Sequence, residues 1–257
     1  ILLMKHIFFP LLFLIGQLFS QSDLEKANLA YGSRALGSIK NKANESQIKL
    51  AIKYYTAAIS DEGALDASTG ILKSYYYYGK YVVENNDAKK KIFSKAVSLG
   101  EKFIIDYPES PGIRYWYLVN LGSWAEVYGV IAAAKSGFAD TMKVHSEKII
   151  ELDRYYNDGS GYFMLGVVHL RAPYVPFFLS WPDKDKAEEL LKSASLIGKF
   201  TLPQKFNYAQ ALYKNNKKEE AFDLLKDVIN STPSGKGRVE MWDQIIEAKE
   251  YIESIKD

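Results

Sequence analysis

Apolar residues recur every three or four positions from Asp23 almost to the end of the chain, whereas the alternating pattern of a β-strand is nearly absent. Polar junctions such as SDEG at 60–63 and ENND at 84–87 separate the segments, and their residues favour helix caps and turns. We therefore predict an all-α protein made of helix pairs. The pairs cover about 23–60, 65–106, 111–153, 158–198 and 204–230, and a closing helix covers about 237–255.

Small and large apolar residues follow a fixed order within these pairs. Small residues let two helices cross closely, and large ones fill the spaces between them. The order at 205–233 resembles the tetratricopeptide repeat, and similar spacing returns at 93–110 and 185–196. Its positions there are Phe206, Ala209, Tyr213, Ala221, Leu225, Val228 and Pro233. We predict an α-solenoid of about five tetratricopeptide-like helical hairpins plus the closing helix, forming a single domain over residues 21–257.

One predicted helix contains the stretch YWYLVNLGSWAEVYG, residues 115–129. On a helical wheel Leu118, Gly122, Ala125 and Gly129 fall on one narrow line, which predicts close approach of another helix. The far side carries polar residues next to Trp116 and either faces solvent or lines an internal cavity. On these residues alone ordinary packing is the favoured interpretation, with Trp124 as core filler and the polar groups in water, and the cavity is the alternative. The candidate cavity-lining residues are Arg114, Trp116, Asn120, Ser123, Trp124 and Glu126.

A proline-rich insertion, APYVPFFLSWPDKD at 172–185, interrupts the fourth pair. Its three prolines exclude a regular helix, so its aromatic side chains are presented on a loop. The loop is predicted to gate a ligand cavity, to contact a partner or a second copy of the chain, or to fold back on its own helices. The candidate gate or contact residues are Tyr174, Phe177, Phe178 and Trp181.

The start of the chain resembles a secretory signal peptide. Lys5 and His6 precede an apolar run at 7–18, and LFSQ offers cleavage after Ser20. We predict a signal peptide over 1–20 and a periplasmic location, with an uncleaved N-terminal anchor as the alternative. The chain has no cysteine, so we expect neither disulfides nor a lipoprotein anchor.

Charge and side-chain chemistry narrow the function classes. The net charge is +2 and no basic run stands out, which argues against a nucleic-acid partner. His145 and His169 have no second ligand at metal-binding spacing, and SGKGR at 234–238 lacks the glycine and hydroxyl positions of a phosphate loop. No catalytic triad or carboxylate pair can be argued. We predict no enzymatic activity, no metal and no cofactor.

Two long segments, 110–129 and 146–196, carry a family resemblance. The first joins Tyr-Trp, Asn-Leu-Gly and a second Trp in one helix. The second has Leu-Asp-x-x-Tyr, a glycine-rich helix start and the proline-rich loop running into Asp-Lys-Ala. Together with flanking residues, covering roughly 90–235, they resemble the T component associated with TRAP-type transporters, a periplasmic tetratricopeptide-like protein.

The resemblance implies a helical body with a central channel or cavity. It also implies a TRAP substrate-binding protein as partner, and transfer of a hydrophobic or organic-acid ligand. We therefore predict an exported binding protein that is an accessory component of TRAP-type transport, with a protein partner and a small ligand. The alternative is an envelope scaffold that binds proteins through its concave surface without a ligand.

Overall fold

The computed structural model describes residues 21–175 and 177–255, so the predicted signal peptide lies outside the described residues. The described residues contain twelve α-helices and no β-strand, and the all-α prediction is confirmed. The helices are α1 Asp23–Gly32, α2 Glu45–Ala57, α3 Ala64–Tyr81, α4 Asn86–Asp106, α5 Pro111–Tyr128, α6 Val130–Lys135, α7 Phe138–Leu152, α8 Tyr156–Arg171, α9 Lys184–Ser195, α10 Leu202–Lys214, α11 Lys218–Ile229 and α12 Arg238–Ser254.

The helices pack in chain order as a solenoid of hairpins, as predicted. The pairs are α1 with α2, α3 with α4, α5 with α7, α8 with α9 and α10 with α11, and α12 follows them. The first helix of each pair also packs on the first helix of the next pair. These first helices therefore form one row, as in helical-repeat proteins whose inner surface is concave. The short helix α6, between the two members of the third pair, was not predicted.

Small residues permit the close helix crossings on which this packing depends. A Cβ atom on Gly166 of α8 would lie 2.7 Å from Cγ of Leu191 on α9. A Cβ on Gly100 of α4 would lie 2.5 Å from Cδ2 of Tyr117 on α5. Each glycine thus receives a bulky residue of the neighbouring helix, which is the arrangement that the repeat pattern predicts.

Side chains at the predicted junctions cap the helices. The Asn85 side chain accepts a hydrogen bond from the backbone N–H of Ala88 at the start of α4. Ser110 caps α5 in the same way through the N–H of Ile113, and Asp183 caps α9. Each bond satisfies a backbone donor that has no partner inside its helix, so these polar residues fix where the helices begin.

The closing helix α12 joins the two ends of the solenoid. Near its start Val239 is fully buried in the core of the first pairs, and near its end Ala248 is fully buried in the core of the last pair. Glu240 also accepts hydrogen bonds from the guanidinium of Arg34, with Oε1 2.6 Å from Nη2. The row of first helices is thereby bent into a ring around a central space. Among the described residues no helix combines the length and apolar character needed to cross a membrane.

Candidate functional site: a central cavity

A cavity of about 390 Å³ lies inside the ring, bordered by the first helices α3, α5, α8, α10 and α12. The short helix α6 and the start of α7 border it as well. Much of its wall is aromatic, aliphatic or thioether in character, which suits burial of an apolar molecule. These apolar lining residues include Ala133, Phe138, Met142, Phe163, Met164 and Val167.

The face of α5 that borders this cavity is centred on Tyr115, Val119, Gly122 and Glu126, which follow one another at helical spacing. The predicted close helix approach along Gly122 and Gly129 is therefore wrong. Among the described residues, a Cβ on Gly122 would come within 4 Å of one atom, Cε of Met142 at 3.8 Å. Gly129 ends α5 with a φ of 99° and is exposed. The line of small residues faces open space because the helix crossings lie on the opposite face of α5.

Three of the six candidate residues on α5 border the cavity: Trp116, Ser123 and Glu126. The Trp116 ring is half-buried and lies 6.0 Å from the Tyr76 ring, measured between centroids. The Ser123 hydroxyl donates to the backbone oxygen of Val119 at 2.9 Å, so its donor is already used within the helix. Its oxygen can still accept a hydrogen bond.

Asn120 and Trp124 are not among the lining residues, because both pack against other helices. The Asn120 amide is fully buried and donates to the backbone oxygen of Leu72 on α3 at 3.0 Å. Trp124 stacks on Tyr128 with ring centroids 3.9 Å apart, and its Nε1–H donates to Ser94 on α4 at 3.1 Å. The two tryptophans of α5 thus have different environments: Trp116 lies beside the cavity, and Trp124 is partly buried between Tyr128 and α4.

Arg114, the remaining candidate on α5, is buried on the side of α7. Its Nη1 lies 2.7 Å from Nδ1 of His145, and its Nη2 donates to the backbone oxygen of Pro108 at 2.6 Å. Burial and the adjacent guanidinium lower the pKa of His145 to about 4. The imidazole is therefore neutral near pH 7, and its Nδ1 accepts the hydrogen bond from Arg114.

A connected set of charged and amide groups supplies much of the polar part of the cavity wall, and we call it the polar network. It consists of Lys80, Glu126, Arg171, Asn207, Asp243 and Glu247. The Lys80 ammonium lies 3.0 Å from Glu247, 3.6 Å from Asp243 and 3.7 Å from Glu126. The Arg171 guanidinium lies 3.3 Å from the Glu126 carboxylate and donates to Oδ1 of Asn207 at 2.9 Å, so it connects these two residues. Five helices contribute to it, so it exists only in the folded ring.

Burial and charge act in opposite directions on Lys80. Burial alone would lower the pKa of its ammonium, but the carboxylates of Glu126, Glu247 and Asp243 outweigh that effect and raise it. Burial also raises the pKa of the Asp243 carboxyl, although Lys80 opposes the change. The lysine is therefore charged at neutral pH and holds the surrounding carboxylates together.

Lys80, Arg171 and all the side chains that α12 contributes to the cavity were not predicted from the sequence. One signal in the sequence is visible in retrospect. Glu240, Asp243, Gln244 and Glu247 follow a helical spacing of three and four, which places four acceptor side chains on one face of α12. A polar stripe on a terminal helix is usually solvated. Here Glu240, Gln244 and Glu247 border the cavity because α12 closes the ring, and Asp243 is buried next to Lys80.

A second, smaller cavity of about 230 Å³ adjoins the central one. Lys80, Ser123 and Glu126 border both, and Asn86 and Lys89 border the smaller one alone. The Lys80–Glu126 ion pair therefore stands between the two spaces.

The helix α6 and the proline-rich loop cover one side of the central cavity. Gly129 and Gly137, with φ of 99° and 74°, flank α6 and allow the chain to turn sharply at both of its ends. Leu179 of the loop is buried against Ala134 of α6 and Ala139 of α7. The loop is therefore anchored to the same elements that border the cavity.

The four candidate residues of the loop divide into two groups. Trp181 is half-buried, donates from Nε1 to Asp140 at 2.7 Å, and lies 5.0 Å from the His169 ring. Tyr174, Phe177 and Phe178 are exposed, Phe177 fully. None of the four is among the residues that line the cavity, where the loop contributes Ala172 and Pro173.

Within residues 21–175 and 177–255 no group of three or more histidine, aspartate or glutamate residues is arranged to hold a metal ion. A comparison with protein-family models finds none that matches this chain, and a comparison with curated proteins finds no match.

Proposed function

We propose that this protein is an exported helical-repeat binding protein that holds a small organic ligand in its central cavity. The observation that carries the proposal is the cavity of about 390 Å³ inside the ring. Its size falls within the range of roughly 300–1,000 Å³ typical of small-molecule sites. Its mostly apolar wall would bury the body of a ligand, and the polar network would orient a polar group.

We further propose that the protein is an accessory component of TRAP-type transport in the periplasm. This part rests on the sequence resemblance to the T component and on the signal-like start of the chain. A TRAP substrate-binding protein would then be the partner. The exposed side chains of Tyr174, Phe177 and Phe178 offer it an aromatic contact surface on the loop that covers the cavity.

A second candidate function is that of an envelope scaffold without a ligand. The exposed aromatic group of the loop favours it, because such side chains are typical of protein contact sites. The closed ring argues against a scaffold that uses its inner surface, since α12 occupies the space where a partner helix or peptide would lie.

Two variants separate the ligand from the partner. Gly122→Leu places a side chain into the cavity, where a Cβ meets no close neighbour. The double variant Phe177→Ser, Phe178→Ser alters exposed side chains of the loop. The wild-type protein and both variants are purified from the envelope, and native mass spectrometry with proteomics identifies bound molecules and proteins.

We expect the wild-type protein to retain a small molecule and a substrate-binding protein. The Gly122→Leu variant should lose the small molecule, and the loop variant should lose the protein while keeping the small molecule. Recovery of a protein partner together with an empty cavity would support the scaffold instead. Recovery of neither would contradict both proposals.

Tryptophan fluorescence offers a test in the purified protein. A ligand in the cavity should change the emission of Trp116, which borders it, and leave that of Trp124 unchanged. Trp116→Phe should therefore abolish the ligand-dependent signal, and Trp124→Phe should preserve it. A signal lost in the Trp124→Phe variant alone would show that the ligand binds elsewhere.

A further inference from the structure

We propose that the ligand is an organic cation with an apolar body, whose ammonium group binds between the polar network and the ring of Tyr76. The inference rests on the proposed ligand-binding function and specifies the chemical class that the cavity selects. It departs from the organic acid that the family resemblance suggests.

Three carboxylates border the cavity, those of Glu126, Glu240 and Glu247. Their side chains are only partly buried, with 48%, 29% and 31% of their surface exposed. Because a carboxylate accepts hydrogen bonds and attracts positive charge, these side chains favour a ligand that brings N–H donors and a cation.

The protein's own donors near these carboxylates are already engaged. Arg34 donates to Oε1 of Glu240, and the Gln244 amide donates to Glu247 at 3.0 Å. Lys80 lies 3.0 Å from Glu247 and 3.7 Å from Glu126. A ligand ammonium would add donors to carboxylates that are still partly exposed.

The local charge also favours a cation. Four carboxylates, those of Glu126, Glu240, Asp243 and Glu247, lie in direct ion pairs with three cations. The cations are Lys80, Arg34 and Arg171. Lys89, which borders the adjoining smaller cavity, offsets part of the excess negative charge, and an added ammonium is still favoured over an added anion.

An aromatic surface lies beside the polar network. Tyr76 and Lys80 are four residues apart on α3, so they share one face of that helix. The Tyr76 ring is near those of Tyr81 and Trp116, with centroid distances of 5.8 and 6.0 Å. Aromatic faces attract cations, and burial raises the pKa of the Tyr76 hydroxyl, which keeps the ring neutral.

A carboxylate ligand would find a poorer environment in the same place. Lys80 and Arg171 are its available cationic partners in the cavity wall, and both already pair with Glu126. A carboxylate would bring no donor for the lining carboxylates and would be repelled by Glu247 and Glu240. The chemistry of the wall thus selects against an anion.

Three probes with the same apolar body test the inference: phenylbutylamine, phenylpentanoate and phenylbutanol, each with the phenyl ring at the far end of a four-carbon chain. Calorimetric titration into the mature protein should show the amine binding at least about tenfold more tightly than the other two. Equal or tighter binding of the carboxylate or the alcohol would overturn the cation inference and leave the ligand-binding proposal standing. Binding of none of the three would overturn the inference and count against the ligand-binding proposal as well.

Two variants of the polar network make the test independent of the choice of probe body. Lys80→Met removes the resident cation, so amine affinity should rise and carboxylate affinity should fall. Glu247→Gln should weaken amine binding by about fivefold or more and leave phenylbutanol unaffected. Glu250→Gln, an exposed position on the same helix, is the control and should change neither. Circular dichroism confirms that each variant is folded. A Lys80→Met variant with weaker amine binding would contradict the proposed placement.

Discussion

The two faces of α5 have similar aromatic content but different surroundings. Tyr115, Val119 and Gly122 border the central cavity. On the opposite face Tyr117 and Leu121 are buried in the core formed with α4, α7 and α8. Both faces look apolar on a helical wheel, so side-chain character alone does not distinguish a wall from a packed interface. What separates them is the presence of a neighbouring helix that fills the space.

Two glycines show the same contrast between a packed interface and a cavity wall. Gly100 of α4 faces the Tyr117 ring, whereas Gly122 of α5 faces the cavity. Both look like sites of close helix approach in the sequence. The free energy of unfolding should therefore change strongly when side-chain size changes on the packed face, and weakly when it changes on the cavity face. The four measurements below test the difference between the two faces.

The largest effect is expected from removing a large side chain on the packed face. Leu121 is fully buried among Val97 of α4 and Ile149 of α7. Leu121→Ala should lower the free energy of unfolding by about 2–5 kcal/mol in urea denaturation, because it leaves a cavity in a filled core. Val119→Ala, on the cavity face of α5, should lower the free energy of unfolding by under about 1 kcal/mol, because it enlarges a space that already exists. Equal losses for both variants would contradict the distinction between the faces.

A smaller loss should follow from overfilling the packed face. In Gly100→Ala the new Cβ meets Cδ2 of Tyr117 at 2.5 Å and Cβ of Tyr117 at 3.1 Å. The second of these atoms cannot swing away without moving the backbone of α5. We expect a loss of about 1–3 kcal/mol in the free energy of unfolding. A stabilised Gly100→Ala variant would show that α4 and α5 are farther apart than the structure indicates.

The packed face also contains a titratable group. His145 of α7 lies against Tyr117, with ring centroids 5.3 Å apart, and its pKa is lowered to about 4 by burial and Arg114. The unfolded chain takes up this proton from about pH 6.5 downwards, whereas the folded chain takes it up near pH 4. Stability should therefore fall by about 1–2 kcal/mol between pH 6.5 and 4, after allowance for partial exposure of the ring.

The variant His145→Gln isolates that contribution. Its amide oxygen still accepts a hydrogen bond from Arg114 but does not titrate. Urea denaturation at several pH values should show a shallower slope for this variant than for the wild-type protein. His169 also has a lowered pKa, caused mainly by burial, so part of the slope should remain. Identical slopes for the variant and the wild-type protein would contradict the assignment.

The smallest effect, and one of opposite sign, is expected on the cavity face. In Gly122→Ala the new Cβ lies at an ordinary contact distance of 3.8 Å from Met142. Alanine is favoured over glycine inside a helix by roughly 0.5–1 kcal/mol. We therefore expect a slight rise in the melting temperature. A loss as large as that of Gly100→Ala would mean that another helix does approach at this position.

The helix pairs and the closing helix were predictable because each buries a periodic apolar face that is visible along the chain. The direction in which each face of α5 points was not. A wheel gives the angles between residues, but the neighbouring helices are fixed by contacts between distant segments. Asn120 illustrates this, since its polar side chain suggested solvent or a cavity and instead bonds to the backbone of Leu72.

The short helix α6 was not predicted because it is only six residues long and its glycine boundaries resemble an ordinary turn. The polar network was missed for a related reason. Its members come from helices separated by up to 167 positions, as with Lys80 and Glu247, and no local pattern connects them.

Closure of the ring by α12 changes how the protein should unfold. In an open solenoid the stability is the sum of repeat and nearest-neighbour terms, so a terminal repeat can unfold while the others persist. Here the first and last pairs share α12, so neither behaves as a free end. If the interface between two neighbouring pairs breaks, those pairs are still joined through the remaining pairs and α12. Opening the ring therefore requires two interfaces to break together. The protein should therefore unfold as one cooperative unit, with its C-terminal helix setting the cooperativity of the whole chain.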